Sequence, residues 1–142
     1  MSVETKELAD RYTELWNEAD ASARGALVRE LWAEDGVHVI AEPPEEIRAA
    51  AANLAFPAPS LEVRGYAELT GRVARAYEMF VAPGTHAFRL RGEPHRLLSS
   101  VVAIRWSMVA TDGGAVAAGG LDVLALDETG RIRLDTQYIG VD

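Results

Sequence analysis

Residues 119–138, GGLDVLALDETGRIRLDTQY, read as two strands joined by a tight turn, with the turn signal Asp127-Glu128-Thr129-Gly130 between them. Every second side chain of a strand shares a face. Extended back to Val116, the first strand then presents Val116, Ala118, Gly120, Asp122, Leu124 and Leu126 together, an apolar row that one carboxylate interrupts. An unpaired buried charge costs several kcal/mol, so such a carboxylate is paired, protonated or functional. Asp122 is the first candidate site residue on this ground. On the second strand Asp135 and Gln137 share a face, opposite Leu134, Thr136 and Tyr138, and can offer a further carboxylate and an amide.

Working upstream, Asp112-Gly113-Gly114 marks another hairpin, preceded by a long strand over residues 97–110 on which Val102, Ile104, Trp106 and Met108 share a face. Gly92-Glu93-Pro94 separates this strand from one over residues 85–91. Before the strands, Leu8, Tyr12, Leu15 and Ala19 fall at helical spacing and predict an amphipathic helix over residues 3–19. Asp20 or Ser22 can cap a second helix, which carries Ala23, Leu27 and Leu31 inward and stops near Asp35-Gly36, before a short β-run over residues 37–41. A third helix starts at Tyr66, with Leu69, Val73, Ala76, Tyr77 and Phe80 on one stripe, and ends at Pro83-Gly84. Residues 42–64 have the least pattern: Pro43-Pro44, an EEIRAAAANL segment able to form a short helix, then Phe56-Pro57-Ala58-Pro59. A connection of that length is either a covering segment or a lid. Three helices followed by a mostly antiparallel meander make an α+β domain, with the helices on one face of a curved sheet and no boundary over residues 1–142.

Composition bounds the function. The chain has 142 residues, enough for one domain with a real core, and a formal net charge of −8, which argues against a nucleic-acid backbone or an anionic membrane as partner. It has no cysteine, so neither disulfides nor thiolate metal sites are available. The opening MSVETKELAD is acidic and polar, unlike a signal peptide, and no run approaches a membrane span, so the expected location is cytoplasmic. His38, His86 and His95 show no metal-ligand spacing, and neither metal nor cofactor is expected. Trp16, Trp32 and Trp106 read as packing residues, with Trp106 and Trp16 also able to wall a flat apolar ligand. Arg29 and Glu30, and the Arg72/Arg75 pair, read as solvated helix faces.

Three segments carry a resemblance: RYTELWNEAD in the first helix, LWAEDGVHV after the second, and the terminal D-x-L-x-L-D-x-x-G-R-I. Together they resemble the nuclear-transport-factor-2-like (NTF2-like) superfamily, in particular its SnoaL-like and ketosteroid-isomerase-like branches, over nearly all of the chain except residues 42–64. The resemblance implies a cone-shaped barrel of curved, mostly antiparallel sheet, with the three helices on its concave face, a deep pocket between them, and a homodimer through the sheet. The scaffold hosts isomerases, dehydratases, cyclases and non-catalytic binding or dimerisation modules alike.

Residue by residue, Arg11-Tyr12, Asn17 and Asp20 have the spacing of the isomerases' first helix, which puts Tyr12 on their oxyanion-hole tyrosine. Asp122, eight residues before Gly130, falls on their protonated oxyanion-hole aspartate. The apolar row around Asp122 would raise its pKa by desolvation. Their general base falls on Ile40, where no carboxylate stands; His38 on the same face and Glu42 are the nearest substitutes. The catalytic His and Asp of the cyclases fall on Asp135 and Gln137, and neither residue type is kept. The expectation is a small apolar ligand with a carbonyl or phenolic oxygen held by Tyr12 and Asp122, with Asp135 or His38 moving a proton and Gln137, Trp106, Ile40 and Trp16 lining the pocket. The reaction would be that of an isomerase, dehydratase or cyclase; the alternative is a non-catalytic ligand-binding or dimerisation module.

Overall fold

Among the described residues, helical spacing of apolar residues is realised three times. α1 spans Val3–Asn17 and buries Thr5, Ala9, Tyr12 and Leu15. α2 spans Ala21–Leu31 and buries Arg24, Leu27, Val28 and Leu31. α3 spans Gly65–Ala76, buries Leu69 and Val73, and continues into a π-helical turn at Tyr77–Val81. The computed structural model describes residues 3–41 and 61–140, so the expected short helix after Pro43-Pro44, and Glu42, lie outside the described residues. No helix among the described residues is long and apolar enough to cross a membrane.

The two N-terminal helices are tied by polar contacts at their junction. The guanidinium of Arg24 donates to the carbonyls of Glu18 (2.8 Å) and Ala19 (3.3 Å), just beyond the end of α1. The Asp20 carboxylate accepts the Ala23 N–H at 2.9 Å and caps α2. Asp20→Ala is expected to cost about 1 kcal/mol, read as a lowered urea midpoint at constant slope. α2 ends at Leu31, earlier than the glycine at position 36 suggests. Gly36 serves the strand instead: a Cβ there would stand 2.6 Å from Trp32 Cδ1 and 2.9 Å from the Ile132 carbonyl oxygen, so only glycine allows the bulge that follows Trp32 to close on the neighbouring strand.

The strands are β1 (Trp32–Ala41), β2 (Glu62–Arg64), β3 (His86–Leu90), β4 (His95–Leu98), β5 (Val101–Ala110), β6 (Val116–Leu126) and β7 (Ile132–Ile139). The long strand read over residues 97–110 is thus broken by a turn at Ser99-Ser100, and β4 folds back antiparallel on β5. The sheet runs β2-β1-β7-β6-β5-β3, with β4 also on β5. All pairings are antiparallel except β1 with β7, which is parallel. The fold is the expected α+β cone, its curved sheet unclosed among the described residues. The core joins Ala9, Tyr12 and Leu15 of α1, Leu27, Val28 and Leu31 of α2, and Leu69 and Val73 of α3 to inward residues of the sheet such as Val102, Ile104, Leu124 and Ile132.

Candidate functional site

Strand register places the polar residues in adjacent layers. His38 pairs with Asp135, which pairs with Leu124; Ile40 pairs with Gln137, which pairs with Asp122, which pairs with Ile104. Because alternate residues share a face, both layers point inward and bring His38, Asp122, Asp135 and Gln137 together under α1. Asp122 and Asp135 are 0% exposed, His38 1%, Tyr12 3% and Gln137 9%. On the opposite face Leu134 and Tyr138 remain exposed. Ile40 lies beside Gln137 and is half-buried, so the place of the isomerase base is an apolar position in the layer of Asp122.

Tyr12 joins the two acids. Its hydroxyl lies 2.7 Å from Asp122 Oδ2 and 2.5 Å from Asp135 Oδ2. A phenol has one proton, so it can donate to only one of these oxygens, and the other contact needs a proton from the carboxyl itself. Hydrogen-bond accounting assigns it. Asp122 Oδ1 already accepts from Trp106 Nε1–H at 2.7 Å and from the Gln137 amide at 3.1 Å, a set of donors suited to a carboxylate. Among the described residues Asp135 meets Tyr12 and, acid to acid, Asp122, neither of them a donor set like that on Asp122, and its Oδ1 is buried without a hydrogen-bond partner. The neutral acid is therefore Asp135, donating to Tyr12, which donates to Asp122. Burial raises the Asp135 carboxyl well above the usual carboxylate range, and the neighbouring charge of Asp122 adds to this. Tyr12 is likewise held far above an ordinary phenol, by burial first and then by the two acids. The expectation of a protonated Asp122 beside Tyr12 thus gives way to a proton on the other acid, because the donors crowd Asp122.

His38 is placed at the end of this array with its chemistry reversed from expectation. Arg72, on α3, has Nη1 2.9 Å from His38 Nδ1 and 2.9 Å from the Leu61 carbonyl. A guanidinium only donates, so Nδ1 is the bare nitrogen and the ring proton sits on Nε2. Nε2 faces Asp135 Oδ2 at 3.8 Å and Asp122 Oδ2 at 3.9 Å, too far for hydrogen bonds, and has no other partner among the described residues. Burial lowers the imidazole pKa to about 4; Asp122 opposes this and Arg72 adds to it. His38 is therefore a neutral donor and not a base near pH 7. Arg72 itself is half-buried and not a solvated face. The sequence signal was its place three residues after Leu69 and one before Val73, at the edge of the apolar stripe.

The same ring gives a pH dependence whose sign is fixed. A histidine with a folded pKa below its unfolded value contributes stability that is present above about pH 6.5 and lost as pH falls toward 4. His38→Gln, which can still accept from Arg72, is expected to be less acid-sensitive than the parent by about 2–3 kcal/mol between pH 7 and pH 4.5, measured by urea denaturation. Asp135 acts oppositely, since its raised pKa contributes stability at low pH that is lost as pH rises through the folded value.

The aromatic residues surround the acids. Trp106 opposes Gly120 across β5 and β6, and its indole lies over that glycine to reach Asp122, so Trp106 is a hydrogen-bonding member of the site as well as a wall. Trp16 packs on Tyr12 (6.0 Å between ring centroids), His38 (5.7 Å) and Phe88 (6.5 Å), and its buried Nε1–H has no hydrogen-bond partner among the described residues. A surface groove of about 430 Å³ between α1, Glu30 and Gly130 contains none of these residues. His38, Asp122 and Asp135 bring ligand atoms within 4.8 Å of one another, as a metal site would. The donor set does not fit a cation, because Arg72 keeps the proton on Nε2, the nitrogen that would have to ligate.

No protein-family profile and no curated protein matches the sequence. Among solved structures, a candidate isomerase of the SnoaL-like family from Agrobacterium tumefaciens is 23% identical, with a TM-score of 0.75 over 97% of this chain and 98% of that one. A SnoaL-like protein of unknown function from Burkholderia thailandensis is 16% identical, with a TM-score of 0.68 over 99% and 98%. An NTF2-like protein of unknown function from Exiguobacterium is 17% identical, with a TM-score of 0.61 over 93% and 97%. The fold is therefore that of the NTF2-like proteins, with SnoaL-like structures among its neighbours.

Proposed function

We propose that this protein is an acid–base catalyst of the isomerase, dehydratase or cyclase kind, acting on a small apolar compound that carries a carbonyl or phenolic oxygen. The observation that carries the reading is the buried Asp135–Tyr12–Asp122 chain, which ends in two atoms unsatisfied among the described residues, Asp135 Oδ1 and His38 Nε2–H. A polar atom left unpaired in an interior is costly, and a ligand able to accept at one and donate at the other removes that cost.

The proton inventory allows one balanced step. Asp135 Oδ1 takes a proton from a carbon next to the ligand carbonyl, while its Oδ2 proton passes to Tyr12 and the Tyr12 proton passes to Asp122 Oδ2. One C–H bond breaks, Asp122 becomes neutral, and the negative charge moves to the ligand oxygen, where His38 Nε2–H receives it. Asp122 is then the base acting through a relay, which answers the missing carboxylate at Ile40. Return of the proton to another carbon is isomerisation; loss of a hydroxide or closure onto a second carbonyl is dehydration or cyclisation. Trp16 and Trp106 wall the ligand, and Gln137 keeps Asp122 oriented.

The test is α-proton exchange of an apolar cyclic ketone such as 2-tetralone into deuterated buffer, followed by NMR. The wild-type protein is expected to exceed buffer and to be saturable, with Tyr12→Phe and Asp135→Asn slower by a factor of about 10²–10⁴. If a panel of such ketones is neither bound nor exchanged, the reading fails; binding without exchange assigns the protein to the non-catalytic binding modules.

A further inference from the structure

We propose that Arg72 is a positioning residue that fixes the proton of His38 on Nε2 and so keeps the imidazole a neutral donor toward the Asp122–Tyr12–Asp135 chain. His38 Nδ1 meets the Arg72 guanidinium at 2.9 Å, and a guanidinium offers only N–H groups, so Nδ1 cannot carry a proton while that contact stands. The same Nη1 also donates to the Leu61 carbonyl at 2.9 Å, which holds the guanidinium against the ring. With Nδ1 occupied, the Nε2 proton has one direction, toward Asp122 Oδ2 and Asp135 Oδ2.

The charged and titratable groups around the ring explain why this device is needed. Asp122 from β6 and Asp135 from β7 face Nε2, Arg72 from α3 faces Nδ1, and Tyr12 from α1 closes the acid pair; Trp16 packs on the ring and Glu68 lies near Arg72. An imidazole beside a buried carboxylate would ordinarily take a proton and form an ion pair. Burial disfavours that charge first, and Arg72 adds to it by hydrogen bond and by charge, leaving the negative charge on Asp122 for the relay. The tautomer assignment stands without any catalytic reading; its use in proton transfer rests on the reading proposed above.

The test is ¹⁵N–¹H NMR of histidine-labelled, ligand-free protein from pH 8 to below pH 4, with the His38 signals identified by their loss in His38→Gln. In the parent, Nδ1 should show the shift of a bare ring nitrogen and Nε2 that of a protonated one from pH 8 down to pH 5, with the midpoint below that. Arg72→Met should let Nδ1 acquire a proton, with a tenfold or greater gain in proton affinity, about one pH unit or more. Arg72→Gln keeps an N–H donor without charge and should retain the tautomer while raising the midpoint; Arg72→Lys should restore both. If the midpoint and tautomer in Arg72→Gln and Arg72→Met equal those of the parent, Arg72 serves only to hold Leu61 and the proposal is overturned. Should Arg72→Met fail to fold, the Gln and Lys variants decide by the same comparison. Because no ligand is present, this outcome is separate from ketone exchange.

Discussion

Asp122→Asn will destabilise the protein by about 2–4 kcal/mol at pH 7, whereas Asp135→Asn will leave its stability unchanged or raise it. Asp122 accepts from Trp106 Nε1–H, the Gln137 amide and the Tyr12 hydroxyl. An asparagine there has one accepting oxygen, so either the tryptophan and glutamine or the tyrosine loses its acceptor, and an unpaired buried donor costs about 1–3 kcal/mol. The negative charge would also have to move to Asp135, which lacks the tryptophan and glutamine donors that Asp122 has. Asparagine at 135 instead imitates the neutral acid: its Nδ2–H donates to Tyr12, which still donates to Asp122. It also removes the proton uptake that folding requires of an acid whose pKa burial has raised, so the gain should grow as pH rises. The check is a pair of urea midpoints at pH 6 and pH 8. Equal losses in the two variants would show that the proton is shared differently. Together with the exchange assay, Asp135→Asn separates roles cleanly, since an amide keeps the hydrogen bond but cannot relay a proton.

Gly120→Ala is expected to cost about 3–5 kcal/mol, a large penalty for one methyl group. Gly120 sits between Trp106 and Ile139 in the middle of the sheet. A Cβ would lie 2.4 Å from Trp106 Cζ2, 2.7 Å from Cε2 and 2.8 Å from the Tyr138 carbonyl oxygen. Overpacking alone costs about 1–3 kcal/mol. Here the indole has to move, which also breaks its hydrogen bond to a carboxylate, about 1.5–3 kcal/mol more. Trp106→Phe should relieve part of the clash, so the double variant will be less damaged than the sum of the two singles. Strict additivity would mean that the methyl group is accommodated by the backbone and that the indole does not depend on this glycine.

These two sites mark what was legible in the sequence. Asp122 stood out as a carboxylate in an apolar row, and the alternation that exposed it also placed Gln137 and Asp135 correctly, because strand parity is a local property. The turn at Gly130 was legible for the same reason, and the residue adopts a φ of 88° there. Which acid holds the proton was not legible, since it depends on donors from Trp106, Gln137 and Tyr12 that only the fold assembles. The break at Ser99-Ser100 was hidden because apolar residues continue on both sides of it. Gly36 reads as a helix terminator in the sequence, whereas its reason is contact with Trp32 and the Ile132 backbone. Arg72 looked like one more helix charge; its partner, His38, is 34 residues away in the chain.

The parallel pairing of β1 with β7 has a consequence for how the protein comes to exist. Tyr12 and Asp135 are 123 positions apart, and Ile40 waits for Gln137 before its strand has that neighbour. Long loops must close before such contacts are formed, so topology of this kind slows folding. On the ribosome, β1 is made early and stays open along the edge that β7 will cover. The two carboxyls, on β6 and β7, are made after β1 and α1, so Tyr12 and His38 meet their acidic neighbours only once these C-terminal strands dock.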